Sequence, residues 1–248
     1  MDHIQFESLF IITFYSFLTG KKHENIDINH IDNCIKHEIL NEYKLLINYY
    51  NEKQRYYHTI EHIFDCINEF NICIEYFNNN SNCNTNTNNT NVLNINNTLY
   101  KNIILLSIFY HDIIYDPTSS INEDLSAQLF KRVSNRLVIL VQQLQIKPPK
   151  VPTTTSSSAS TSTTGTDNDN VTVTETDASN NTNNNTVLYK YIDIIVYIIL
   201  KTKHGSQVIC NINDIKCEEE DQEDEYSITM IDIERIVELV LEIDLALL

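Results

Sequence analysis

His111 and Asp112 stand side by side inside the run Ile103 to Ile114, whose other members are nearly all apolar. An imidazole and a carboxylate are costly to bury there unless they are paired or coordinated. Joint coordination of a metal ion would compensate them. A hydrogen-bonded His–Asp pair kept for structure would do so equally well. His58 and His62 are four residues apart in a second pattern. Two imidazoles at i and i+4 can reach one ion. On a continuous helix they share a stripe with Asp65 and Glu69, opposite the apolar face, and a solvated polar face looks the same. Asp244, between Ile243 and Leu245, reads by itself as the outer edge of an amphipathic helix. His204 follows Lys201 and Lys203, a basic group that suits a helix C-terminus and could instead contribute to a site.

These residues need elements to carry them, and the apolar periodicity supplies helices. Residues 5–19 form one, and residues 30–50 another with Ile31, Ile35, Ile39, Leu45, Leu46 and Tyr49 as its apolar members. Residues 58–77 space Ile60, Ile63, Phe64, Ile67 and Ile74 as an amphipathic helix does. Residues 99–115 are so apolar that the helix should be central and buried all round. Residues 122–145 follow with Asn122 as a candidate cap, then 187–203 and 228–247. The Ile-rich runs at 99–115 and 187–203 could pass for strands, but their length favours helix. Only 3 Gly and 4 Pro punctuate the chain, which argues against a fold of many tight β turns. The expectation is an all-α bundle.

Three stretches read as inserts within this single domain. Residues 78–98 are mostly Asn and Thr, 147–186 are Thr-, Ser- and Asn-rich behind Pro148 and Pro149, and 211–227 end in an acidic run. None has the apolar content to offset the entropy of ordering, so disorder is expected. The formal charge is -17, with 34 acidic against 17 basic residues, and this excess repels nucleic acids and anionic membranes. A phosphorylated substrate would need local positive charge, for which bound metal is the obvious source. The 6 Cys include no C-x-x-C pair, which disfavours a zinc ribbon. The apolar run Leu9 to Leu18 is too short to span a bilayer, and acidic residues precede it, unlike a leader. A cytoplasmic protein with reduced thiols is expected.

The wording around these residues is more specific than the residues alone. Arg55-Tyr56-Tyr57-His58-Thr59-Ile60-Glu61-His62-Ile63 resembles an R-x-Y-H-x-x-x-H-I segment. Phe109-Tyr110-His111-Asp112-Ile113-Ile114-Tyr115-Asp116 is similar to an F-H-D-x-x-Y-D block, Asn122-Glu123 with Ser126 to N-E-x-x-S, Thr202-Lys203-His204 to T-K-H, and Asp244-Leu245-Ala246 to D-L-A. In that order they resemble a branch of the HD superfamily of predicted metal-dependent phosphohydrolases. An isolated His-Asp dipeptide is a weak signal, whereas five blocks in order from residue 55 to 247 are a strong one.

The resemblance implies an HD-domain-like bundle that directs His62, His111, Asp112 and Asp244 onto a divalent ion, which could be Mn, Fe, Co, Zn or Mg. It makes Asp112, His58 and His204 candidates for catalysis, and Asp116 and Glu123 candidates for orienting the ligand imidazoles. Arg55, Lys201 and Lys203 become candidates for binding the phosphate. The implied reaction is hydrolysis of a small phosphate ester, such as a nucleotide, by metal-activated water. The family pattern continues with a further helical segment, whereas this chain stops at Leu248, and it carries Glu242 and Ile243 where the family tends to Asp and Ala. These departures keep a second reading open: a catalytically silent HD-fold module that binds a nucleotide or a partner.

Overall fold

The computed structural model describes residues 1–81, 97–145, 177–203 and 228–245. Among them every regular element is helical, in agreement with the all-α expectation. Helix α1 spans His3–Thr19. It starts from a reciprocal cap, in which the Asp2 carboxylate accepts from Gln5 N and the Gln5 side chain accepts from Asp2 N. It stops at Gly20, whose φ of 69° continues the chain in the left-handed region. Two short 3-10 turns, His23–Asn25 and Ile28–His30, lead to α2 at Asn33–Tyr50, which Asp32 caps by accepting from Cys34 N and Ile35 N. The remaining helices are α3 at Ile60–Ser81, α4 at Thr98–Tyr110, α5 at Asn122–Gln145, α6 at Asp177–Lys201 and α7 at Met230–Leu245.

Helix α4 is the axis of the bundle. It packs against α1, α3, α5, α6 and α7. Tyr100 and every residue from Asn102 to Tyr110 are buried, as the all-round apolar sequence predicts. Phe109 on α4 meets Phe6 and Phe10 of α1 with ring centroids 5.5 and 5.3 Å apart, and Tyr43 of α2 closes on the same two phenylalanines. Burying each such side chain contributes roughly 1.5–3 kcal/mol, so this aromatic contact anchors α4 firmly. The one interior polar residue toward its start, Asn102, is satisfied. Its Nδ2 donates to Ser16 Oγ at 2.8 Å, and its Oδ1 meets His23 Nε2 at 2.6 Å.

Several boundaries differ from the sequence expectation, and two of the differences matter for chemistry. Helix α4 ends at Tyr110 rather than continuing to residue 115, so Asp112 lies in a turn. Helix α3 begins at Ile60, so His58 lies in the segment before it and not on its face. Helix α3 runs on to Ser81 and α6 starts at Asp177, so backbone helix occupies residues 78–81 and 177–186, which composition assigns to inserts. Most of the proposed inserts at 78–98 and 147–186, and all of 211–227, lie outside the described residues. No helix among the described residues is long and apolar enough to cross a membrane. The cysteines described, Cys34, Cys66 and Cys73, are free thiols.

Candidate metal centre

Three helix ends converge on one point. Helix α3 brings His62 in its first turn, the turn after α4 brings His111 and Asp112, and the last turn of α7 brings Asp244. Helix α7 buries Ile233, Ile236, Val240 and Ile243, and Asp244 continues the four-residue spacing of Ile236 and Val240 onto that buried stripe. The outer-edge reading of Asp244 is therefore corrected: it is 3% exposed. His62 is likewise turned inward with Ile63, Cys66 and Ile67, while Asp65 is exposed. The expected polar stripe shared by His58, His62, Asp65 and Glu69 does not form, because the helix starts after His58 and packs His62 against the core.

The donor atoms of His62, His111, Asp112 and Asp244 all lie within 4.8 Å of one another. His62 Nε2 is 3.1 Å from Asp244 Oδ1 and 3.8 Å from Asp112 Oδ2. His111 Nε2 is 3.0 Å from Asp112 Oδ2 and 3.5 Å from Asp244 Oδ1. Donors bound at about 2.0–2.2 Å to one first-row ion stand roughly 3.0–3.4 Å apart, so the spacing fits a common ion. The hydrogen bonding agrees with this. His111 Nε2 and Asp112 Oδ2 are buried and close, yet neither makes a hydrogen bond of normal geometry. A metal ion bound by both would satisfy them.

The electrostatics are those of a compensated buried cluster. Burial by itself would push the His111 imidazole toward its neutral form, but Asp112 and Asp244 outweigh this and hold its pKa well above the usual value. Burial would raise the Asp112 carboxyl, but His111 and His58 overcome it and hold the pKa well below the usual range. Asp244 is lowered as well, against its burial, by His111 and His62. A divalent cation held there would compensate the Asp112 and Asp244 carboxylates directly.

The surroundings assign the other candidates. His58 Nδ1 stands 2.8 Å from Asp112 Oδ2, and its side chain is 20% exposed, so it sits where the cluster meets solvent. Orientation of His111 falls to a backbone carbonyl, since its Nδ1 lies 2.9 Å from Ile108 O. Asp116 is exposed and accepts from Thr118 N and Thr118 Oγ1, while the Lys203 ammonium is favoured chiefly by its hydrogen bond to Asp124 and least by the charge of Glu123. Neither Asp116 nor Glu123 bonds to a ligand imidazole among the described residues, in contrast to the expected orienting role. Asn122 does more than start α5: its side chain donates to Asp116 O and accepts from Asp116 N, fastening the loop after the site.

The expected phosphate contacts are differently employed. Arg55 is buried, and its guanidinium donates to the carbonyls of His58, Asp112 and Ile113. Lys203 Nζ donates to Asp124 Oδ2 at 2.8 Å, and Lys201 Nζ lies 5.1 Å from the Tyr197 ring centroid. His204 lies outside the described residues. Sequence reading missed Cys66, whose Sγ is 3.6 Å from His62 Nε2 and whose thiol is pushed up to about 12 by burial. Its position four residues after His62, on the buried face, is the signal that could have found it. It also missed Tyr57 and Tyr115, whose rings flank His58 with centroids 5.4 and 5.0 Å from its own.

No protein-family model, curated protein or solved structure matches this chain.

Proposed function

We propose that the chain is an HD-like, metal-dependent hydrolase of small phosphate esters. The observation that carries the reading is the clustering of His62 from α3, His111 and Asp112 from the end of α4 and the turn after it, and Asp244 from α7, with their donor atoms within 4.8 Å of one another. Two imidazoles and two carboxylates form a donor set suited to Mn, Fe, Co or Zn, and to Mg less well. A divalent ion held there supplies a Lewis acid and lowers the pKa of water to about 7. The protein's part is to hold the donors. His111 is kept in one tautomer through Ile108 O, and Asp112 is fixed between His111 and His58. His58 Nδ1 faces Asp112, and among the described residues its Nε2 makes no hydrogen bond. In this reading His58 would give a proton to the departing alcohol oxygen.

The ordered sequence blocks support the same assignment, and the net charge of -17 makes local positive charge necessary for any phosphate to bind. The test is reconstitution of metal-stripped protein with each divalent ion, followed by assay on a panel of phosphomonoesters, phosphodiesters and nucleotides. Turnover that requires metal and disappears in Asp112→Ala supports the proposal. Stoichiometric metal with no turnover on any ester favours the silent binding module instead.

A further inference from the structure

We propose that Arg55 is a positioning residue of the metal centre, holding the His58 segment and the Asp112–Ile113 turn in one register, and not a contact for the substrate phosphate. The inference rests on the metal-centre reading above.

A helix leaves its last four carbonyls without intrahelical partners, and burying them unsatisfied is costly. The end of α4 is buried, and its carbonyls can be accounted for one by one. Ser107 O accepts from His111 N at 2.9 Å, and Ile108 O faces His111 Nδ1 at 2.9 Å. Phe109 O accepts from Tyr50 Oη at 3.1 Å, and Tyr110 O from Ile113 N at 3.3 Å. Beyond His111, two further carbonyls belong to Arg55: Nη1 donates to Asp112 O and Nη2 to Ile113 O, each at 2.7 Å. The same Nη1 donates to His58 O at 2.9 Å.

One planar group thus ties together two backbone segments whose side chains, His58 and Asp112, meet at 2.8 Å. The plane is itself held: the guanidinium carbon lies 4.9 Å from the Tyr50 ring centroid and 5.4 Å from that of Tyr115, and Nε is 3.5 Å from Glu52 Oε2. The Arg55 side chain is 0% exposed, so it offers no face to a ligand. Its cation also sits at a helix C-terminus, where positive charge is favourable. Lysine cannot replace it, because an ammonium lacks the rigid fork that reaches separate carbonyls and the plane that stacks between rings.

The test compares wild type, Arg55→Lys and, as a destabilised control, Ile39→Ala, a fully buried position on α2. Four quantities are read: melting temperature, cobalt(II) affinity, the visible spectrum of bound cobalt, and the affinity of the cobalt-saturated protein for inorganic phosphate. Arg55→Lys should weaken cobalt binding about 10–100-fold, as loss of groups behind metal ligands does, and alter the cobalt spectrum. Its affinity for phosphate at saturating cobalt should stay close to that of wild type. Ile39→Ala should melt lower and bind cobalt as wild type does. Unchanged cobalt affinity with at least tenfold weaker phosphate binding would make Arg55 a substrate contact and overturn the proposal. A lower melting temperature with unchanged cobalt affinity and spectrum would reduce it to a stability residue and also overturn it. Should Arg55→Lys fail to fold, Tyr115→Leu, which frees one face of the guanidinium, takes its place: weaker cobalt binding supports the proposal and wild-type affinity overturns it. Wild-type protein that binds no cobalt would overturn the metal-centre reading itself, a result distinct from both of the others because they require metal-bound wild type.

Discussion

His111 Nε2 lies 3.0 Å from Asp112 Oδ2, although the two residues are consecutive in the chain. Consecutive residues on a continuing helix point about 100° apart. Here α4 ends at Tyr110, Asp112 belongs to the following turn, and both residues offer a donor atom to the same cluster. The break in the helix is therefore part of the site.

The first prediction concerns the stability of the metal-free protein. Asp112 compensates His111 and His58, and all of these contacts are at least partly buried. Removing one member of a buried charged cluster leaves the others uncompensated, at a cost of roughly 3 kcal/mol. Asp112→Ala should lower the metal-free unfolding free energy by about that amount in urea titration. An unchanged midpoint would mean that the cluster is solvated.

A second prediction follows from the directions of the pKa shifts. His111 is raised above its usual 6.5, so its contribution to folding is fully present below about pH 6.5 and is lost as pH rises through the folded-state pKa. Asp112 is lowered from 3.8, as is Asp244, so their contributions are present above about pH 4 and are lost as pH falls through the folded-state values. Metal-free protein should thus be most stable between about pH 4 and 6.5, and its melting temperature should decline on the alkaline side. Metal affinity should run the other way and increase with pH, since coordination displaces the proton from His111. Melting curves and cobalt titrations across pH 5 to 9 check both slopes, and slopes of the same sign would contradict the assignment.

Much of this arrangement is legible in the sequence, for identifiable reasons. The core position of α4 follows from a nearly continuous apolar run, and burial of Tyr100 and Asn102 to Tyr110 agrees with it. His111 and Asp112 are recognisable because their types are expensive inside an apolar run, whereas His62 and Asp244 join them only through the ordered blocks of the resemblance. What sequence alone does not give is how each side chain is used. Arg55 looks like an anion contact, yet three carbonyls and two tyrosine rings claim it, and three of those partners, Asp112, Ile113 and Tyr115, are remote in sequence. Asp116 looks like an orienting carboxylate, yet the hydroxyl two residues later satisfies it locally. His62 looks solvent-facing when its helix is assumed to begin at residue 58. Starting the helix at Ile60 removes His58 from it and leaves the buried spacing His62, Cys66, Phe70 as the informative pattern.

A third prediction isolates the Tyr50 hydroxyl. It donates to Phe109 O, within the carbonyl set that ends α4. Tyr50→Phe keeps the packing and the ring beneath Arg55 but leaves a buried carbonyl unsatisfied, which costs roughly 1–3 kcal/mol. Denaturant titration should show that loss with little change in slope. A neutral substitution would show that the carbonyl finds another donor.

A fourth prediction links metal to stability. An ion bound only by the folded state at a thousand times its Kd stabilises by about 4 kcal/mol. Cobalt or zinc should therefore raise the wild-type melting temperature, a chelator should reverse the shift, and His62→Ala should respond to neither. Equal shifts in wild type and His62→Ala would place the ion elsewhere.

The most direct test of the central claim is elemental analysis of the purified protein beside a His111→Ala, Asp112→Ala double variant. About one or two equivalents of a transition metal in the parent, absent from the folded double variant, is the predicted result. A folded parent that holds no metal after reconstitution, or a double variant that holds as much as the parent, would contradict it.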